Sequence, residues 1–266
     1  MKRELTNTPR LNKIKRQKRN ATFFKSLIFL IVFIIIFIGL VFLSRIWHIR
    51  ITNVSVDGNK VVEAEQIINI TKQNLTGNYW FLFPKNNIFI YPKNQITKDL
   101  AQNFKRLNNI ELILTDRNTL NVVVTEREGK YLWCDKNCYF MDESGYIFDE
   151  APYFSGNVYF KFFGKFKQNN FNKLIFFKEA LEKMGLPSTT LYVTDNEDVK
   201  IFLSTANKLT TAPEIIFKMD SDFNTIIENL QTALTTEPLQ TDFKNKYASL
   251  SYIDLRFGNK VFYKFR

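Results

Sequence analysis

The chain has 266 residues, 45% apolar and 15% aromatic, enough for an anchor and one or two compact cores, so disorder of the whole chain is excluded. Nine Gly and seven Pro exclude collagen-like or linker-like sequence, and one His with two Cys leaves too few soft ligands for a structural zinc site or an iron–sulfur cluster. Of the net charge of +11, residues 1–25 carry +8 (nine Lys/Arg against one acid), which leaves +3 for the rest and argues against a nucleic-acid-binding body.

The basic tail leads into an uncharged stretch, Ser26–Ser44, in which Leu27–Leu43 holds a single residue that is not strongly apolar, Gly39. At 1.5 Å per residue the stretch spans about 28 Å, close to the hydrocarbon thickness of a bilayer. Its Leu, Ile, Val and Phe residues favour insertion by at most roughly 5–9 kcal/mol. No polar stripe marks it as a buried core helix. A cleaved signal peptide would end in small residues, whereas this run ends Val41-Phe42-Leu43-Ser44-Arg45. It reads as an uncleaved signal anchor, a transmembrane helix over residues 26–45. The excess of Lys/Arg before it, against Arg45 and Arg50 after it, puts residues 1–25 in the cytoplasm and the bulk of the chain outside. The run Lys13, Lys15, Arg16, Lys18 and Arg19 is a topology signal drawn to anionic lipid, and not a nucleic-acid site. His48 has no second His to join it and sits beside Trp47, an aromatic suited to the membrane interface.

Past the anchor, Ile51, Val54 and Val56 form a strand-like run closed by the turn Asp57-Gly58-Asn59. A helix carrying Ile67, Ile68, Ile70 and Leu75 follows, with Glu63 and Glu65 in its first turn and Thr76-Gly77-Asn78 at its end. An aromatic loop, Tyr79–Pro84, runs on to Ile88–Pro92, and a second helix starts near Asn94 with Ile96, Leu100 and Phe104 on one face. Ile110, Leu112 and Leu114 alternate, as do Leu120, Val122 and Val124, around Asp116-Arg117-Asn118, which predicts a hairpin. The order is β-α-α-β-β.

Residues 129–266 read as a second, strand-rich unit. Tyr131–Tyr139 and Gly145–Phe148 are strand-like around the turn Met141–Gly145. A helix is predicted over Phe171–Met184, stopped by Gly185 and Pro187. Leu191–Val193 and Val199–Leu203 are strand-like, and a second helix starts at the N-cap Asp222 and ends before Pro238. Ser251–Phe257, the turn Gly258-Asn259 and Lys260–Phe265 close the chain as a hairpin. The fold class is therefore α+β: one transmembrane helix, a β-α-α-β-β module, then a mixed β-rich module with two main helices.

Four segments, in order behind such an anchor, resemble the bacterial cell-division family FtsQ/DivIB. Ile51–Asn59 (ITNVSVDGN) is similar to the first strand of that family's POTRA module, and Leu120–Arg127 (LNVVVTER) to its last strand. Met141–Phe148 (MDESGYIF) resembles a D..G.IF hairpin, and Tyr252–Lys264 (YIDLRFGNKVFYK) the terminal DLR(F/Y) hairpin. The resemblance implies a POTRA-like domain over residues 48–128 and an FtsQ-type β domain over 129–266. It also implies a non-enzymatic, single-pass scaffold of the division septum in the plasma (inner) membrane. Its implied partners are the extracytoplasmic segments of FtsB/DivIC-like and FtsL-like coiled-coil proteins, with septal wall synthases as further candidates. In the family the terminal strands offer an edge to which a partner adds a strand. Carried onto this chain, the candidate partner-binding residues are Arg256, Phe257, Lys260, Val261, Phe262 and Tyr263. Within the strand, Ile253, Leu255 and Phe257 share a face expected to be core, with Tyr252, Asp254 and Arg256 on the other; Phe257 at the turn and Val261 and Tyr263 on the last arm are the favoured partner contacts. Rival readings are a POTRA-bearing part of a secretion or outer-membrane assembly system, and a membrane-anchored cell-wall enzyme.

Little else points to chemistry. Cys134 and Cys138 flank a three-residue turn on the oxidising side of the membrane and are expected to form a structural disulfide, the alternative being free thiols. The carboxylate pairs Asp142/Glu143 and Asp149/Glu150 lie in turn-like sequence and read as solvated turn residues. No G-x-S-x-G, S-x-x-K, P-loop or G-x-G-x-x-G occurs, so no enzyme, cofactor, catalytic residue or metal site is expected. The sequons at Asn53, Asn69 and Asn74 would suit a glycosylated type II membrane protein, but they arise readily by chance in an Asn- and Thr-rich chain.

Overall fold

A computed structural model describes residues 9–116, 118–204 and 212–266. The start of the basic tail and Arg117 of the predicted turn lie outside the described residues, as do the side chains of the basic run apart from Lys18. The fold is α+β, and the chain divides into two compact units, Met1–Glu126 and Arg127–Arg266.

The first helix, α1, runs Pro9–Ser44. It begins well before the expected residue 26. Pro9 suits a first helical position, Leu, Lys, Arg and Gln in the tail are good helix formers, and propagation from an existing helix costs far less than nucleation. Within it, Thr22–Ser44 is 23 residues long, and its most apolar 18-residue window has mean hydropathy 3.4 with none of it buried, long and apolar enough to cross a membrane.

After α1 the first unit contains β1 (Asn53–Asp57), α2 (Ala64–Leu75), β2 (Asn78–Tyr79), β3 (Phe83–Pro84), α3 (Lys93–Asn103), β4 (Leu107–Asp116) and β5 (Thr119–Glu126). A three-stranded sheet is ordered β1-β5-β4, with β1 parallel to β5 (Val54 opposite Leu120, Val56 opposite Val122) and β4 antiparallel to it (Leu112 opposite Val122). The period-2 residues Leu120, Val122 and Val124 and the helix residues Ile67, Ile96 and Leu100 meet in one core, so each helix buries one stripe against one sheet face. Gly58 has φ +86° and lies so close to the Val124 backbone carbonyl that a side chain has no room, which explains the glycine of the turn after β1. The Glu126 carboxylate accepts from the backbone N–H groups of Lys60, Val61 and Val62 at 2.7–3.1 Å, tying the turn ahead of α2 to the end of β5. β2 and β3 form a miniature hairpin where only a loop was expected.

The second unit contains β6 (Tyr131–Cys134), β7 (Cys138–Met141), β8 (Ile147–Glu150), β9 (Phe160–Phe163), α4 (Gln168–Lys183), β10 (Ser188–Val193), β11 (Asp198–Leu203), β12 (Glu214–Lys218), α5 (Phe223–Leu234), α6 (Leu239–Lys246), β13 (Leu250–Phe257) and β14 (Lys260–Phe265). One sheet of nine strands is ordered β14-β13-β12-β11-β10-β9-β6-β7-β8. β9 is parallel to β10 and β12 is parallel to β13, so α4 and the α5–α6 pair are crossover connections, the only way to join adjacent parallel strands. Both crossovers bury their apolar stripes in one core with the inner sheet face. Aromatic packing dominates there: Phe177 and Phe217 have ring centroids 4.3 Å apart, and Phe223 meets both edge-on. Each fully buried Phe contributes about 1.5–3 kcal/mol. Asp222 caps α5 as expected, its Oδ1 accepting from the Asn224 N–H, worth about 1 kcal/mol. Among the described residues of this unit three helices are present where two main ones were expected, because the chain re-enters a helix directly after Pro238, a residue that halts one helix yet is compatible with the start of the next.

Candidate functional site

β14 is an end strand of the large sheet: β13 pairs with it on one side, and no strand follows on the other among the described residues. Its side chains alternate. Val261, Tyr263 and Phe265 are half-buried against the main core, while Lys260, Phe262 and Lys264 are exposed on the opposite face. Of the two last-arm residues favoured from the sequence, Val261 and Tyr263, both therefore turn toward the core.

The apolar group left in the open is Phe257, favoured from the sequence, together with Phe262 of the wider candidate set. Phe257 is 56% exposed and Phe262 48%, with ring centroids 5.2 Å apart in an edge-to-face contact. Ile253 and Leu255 are buried as the alternation of β13 predicts, and Phe257 departs from it because the β13–β14 register shifts between Asp254 and Phe257. Asn229 Nδ2 of α5 donates to the Gly258 carbonyl at 3.2 Å and braces the turn between the two strands.

Arg256 is engaged within the protein. Its Nε and Nη2 donate to Asp254 at 2.9 and 2.6 Å, and its Nη1 donates to Asp198 of β11 at 2.7 Å. Bonds to Asp254 first, then Asp198, hold the guanidinium pKa above its ordinary value despite partial burial. Asp254 is itself buried and also accepts from the Arg256 N–H. Asp198 is a member of this cluster that the sequence does not reveal, since nothing local links a residue of β11 to one 58 positions later. The edge thus consists of an outward strand backbone, two lysines and two paired phenylalanines, with Arg256 locking β13 to β11 behind it.

The other singled-out residues are placed as follows. Cys134 and Cys138 are opposite each other at the end of the β6–β7 ladder and are disulfide-bonded, with Cα atoms 4.1 Å apart. Asp142 is not a solvated turn residue: it is buried, and its Oδ1 accepts from the Ser144 N–H, the Ser144 hydroxyl and the Tyr146 N–H at 2.6–2.9 Å. Its Oδ2 accepts from Arg127, whose guanidinium lies 4.2 Å from the Tyr146 ring centroid. Burial pushes the carboxyl pKa up, but the bonds from Ser144, Tyr146 and Arg127 win and hold it below the ordinary range. Gly145, at φ +82°, abuts the Phe171 ring where a Cβ would sit, so the D..G spacing encodes a self-bonded turn seated on α4. Glu150 accepts from Asn137 at 2.8 Å, and His48 lies in the short turn after α1. Among the described residues no group of three or more His, Cys, Asp or Glu is placed to hold a metal.

No protein-family model matches the chain, and no curated protein is a significant match to it.

Proposed function

We propose that this protein is a non-enzymatic, single-pass scaffold of the bacterial cell-division machinery, acting at the septum. In this reading α1 crosses the plasma membrane with the basic tail inside, and the rest of the first unit is a POTRA-like module beside it. The second unit binds the extracytoplasmic segments of FtsB/DivIC-like and FtsL-like coiled-coil proteins. The observation that carries the reading is the open edge of β14, where an apolar pair, Phe257 and Phe262, flanks an unpaired strand. Such an edge supplies main-chain hydrogen bonds for affinity and side chains for choice of partner. Lys260 and Lys264 discourage pairing of the edge with a second copy of itself and favour an acidic strand. Further support comes from the α+β topology of the first unit, with two helices on one face of the β1-β5-β4 sheet. The four sequence segments that resemble the family point the same way.

Proline tests the edge directly. Along an antiparallel strand, successive N–H groups point alternately to the paired and the open side. Of Val261→Pro and Phe262→Pro, one therefore removes an outward donor and the other a bond to β13. The outward variant is expected to keep the fold and lose capture of the coiled-coil segments in membrane crosslinking. Unchanged capture by a folded outward variant refutes strand addition, and recovery of secretion or outer-membrane assembly subunits instead of division proteins refutes the function.

A further inference from the structure

The turn between β2 and β3 is built against the usual preferences of its residues. Tyr79-Trp80-Phe81-Leu82-Phe83-Pro84 is an apolar run of the kind that normally closes a core. Here Trp80 is 85% exposed and Phe81 92% exposed. Both also stand in the left-handed region, at φ +47° and +63°, where Gly or Asn is the ordinary choice. The chain therefore holds two large aromatics outward on a strained backbone, and the described residues provide almost no burial in return. Strain of this kind persists where the surrounding structure enforces it, and it marks sites of contact.

The surroundings do enforce it. The Leu82 N–H donates to the Tyr79 carbonyl at 3.0 Å, Tyr79 pairs with Phe83, and the Lys85 N–H donates to the Gly77 carbonyl at 3.0 Å. The hairpin is also fastened to α1. The Phe83 ring meets the Phe37 ring edge-on at 5.9 Å, and Arg45 Nη2 reaches the Leu82 carbonyl at 3.4 Å. Just beyond, Asn87 Nδ2 donates to the Ser44 carbonyl at 3.0 Å. Phe37 precedes the last helical residue, Ser44, by seven positions, about 10 Å along the helix axis. The hairpin consequently lies back along the apolar part of α1, not beyond its end.

That depth identifies the ligand. We propose that the Trp80–Leu82 turn is a second membrane contact, a wedge of aromatic side chains set into the outer leaflet beside α1. The occupant is lipid: acyl chain around Phe81 and Leu82, and the headgroup boundary around Trp80, the depth that Trp favours. The tie between Leu82 and Arg45 reduces the number of polar backbone groups that the turn brings into an apolar medium. Lys85, whose Nζ is 5.8 Å from the Tyr79 ring centroid, and Arg45 flank the apolar tip as cations able to extend toward lipid phosphate. Phe89, 77% exposed and two residues past the Asn87–Ser44 tie, extends the same apolar rim. Two contacts, one spanning and one interfacial, fix the attitude of the first unit to the bilayer in a way that a single helix cannot. The proposal rests on α1 crossing the membrane and is independent of the division reading.

The test uses the full chain in nanodiscs of phosphatidylcholine and phosphatidylglycerol, with a nitroxide on one introduced thiol while Cys134 and Cys138 remain bonded. The labelled variants are Phe29→Cys in α1, Phe81→Cys in the turn and Val61→Cys in the segment ahead of α2; all three side chains are exposed, so folding is not at risk. Collision with dissolved oxygen, enriched in lipid, is compared with collision with a water-soluble nickel chelate. Oxygen is expected to dominate at Phe29 and Phe81, with the ratio inverted at Val61. Lipid exposure at Phe29 with water exposure at Phe81 overturns the wedge. Water exposure at Phe29 overturns the spanning helix, and the wedge with it.

Discussion

Replacing Arg256 with Met keeps the length of the side-chain stem and removes the guanidinium, and so separates a structural role from a partner-binding one. In the folded protein Arg256 bridges Asp254 on its own strand and Asp198 on β11. Those contacts reach past the paired part of β12 and β13, whose register covers only Glu214–Ile216 against Tyr252–Asp254. Loss of the guanidinium leaves Asp254, with 8% of its side chain exposed, only one N–H partner among its described bonds. Hydrogen bonds to charged groups contribute about 1.5–3 kcal/mol. Because 30% of the Arg256 side chain is exposed and screened by solvent, the expected loss is about 2 kcal/mol. At 1.4 kcal/mol per tenfold, that is a roughly 30-fold fall in protection of β13 amides. Hydrogen exchange read by mass spectrometry on the full chain in nanodiscs measures it peptide by peptide. Arg256→Lys is expected to recover only part of the protection, since an ammonium cannot reproduce the forked contact. Unchanged protection in Arg256→Met would refute the locking role and return Arg256 to the list of free partner anchors.

Three further outcomes follow from the geometry. Asp142 and Glu126 both have folded-state pKa values below their ordinary ones, so the stability they supply is present above about pH 4 and is lost as pH falls through the depressed values. Urea midpoints across pH 2–7 should therefore drop at the acid end, and Asp142→Asn should flatten part of that drop; an unaltered profile argues against it. Replacing Cys134 and Cys138 together by Ser should cost about 2 kcal/mol or less, because the bond closes a short loop whose strands already pair. A larger loss in denaturant titration would mean that the hairpin does not form unaided. Phe262→Glu should leave thermal unfolding unchanged, as the ring packs on Phe257 and not in the core, yet reduce capture of the coiled-coil segments at least tenfold. Equal capture would move the contact away from the exposed face of β14.

What the sequence made legible were elements with one dry face. Ile67 and Leu75 on α2, Ile96 and Leu100 on α3, and the Leu120, Val122, Val124 alternation of β5 all point to one core, and each is buried there. The central strands β9 and β12 were not read. Their cores, Phe160 and Phe162 in one and Ile215, Ile216 and Phe217 in the other, sit in runs of four or five residues, too short for periodicity to distinguish strand from buried helix. At the candidate edge, the strands were legible and Phe257 was singled out, but the outward face of β14 was not. A register shift after Asp254 reverses the side on which Phe257 emerges, and no local pattern announces it. The Arg256–Asp198 contact was hidden for another reason: it exists only once β11, β12 and β13 lie side by side.

The parallel pairing of β12 with β13 also sets an order of events as the chain folds. β11 and β12 pair antiparallel and are near in sequence, whereas β13 arrives only after Met219–Ser249, with α5 and α6, has been laid across the sheet. Until then β12, with Ile215, Ile216 and Phe217, is an unprotected apolar edge and the point at which a half-folded chain would join another. Long-range pairing of this kind is slow. Pulse-labelled hydrogen exchange is expected to find β10–β12 protected before β13 and β14, and simultaneous protection would exclude that order. The crossover that completes the edge thus also acts as the timer for when the molecule stops being prone to aggregate.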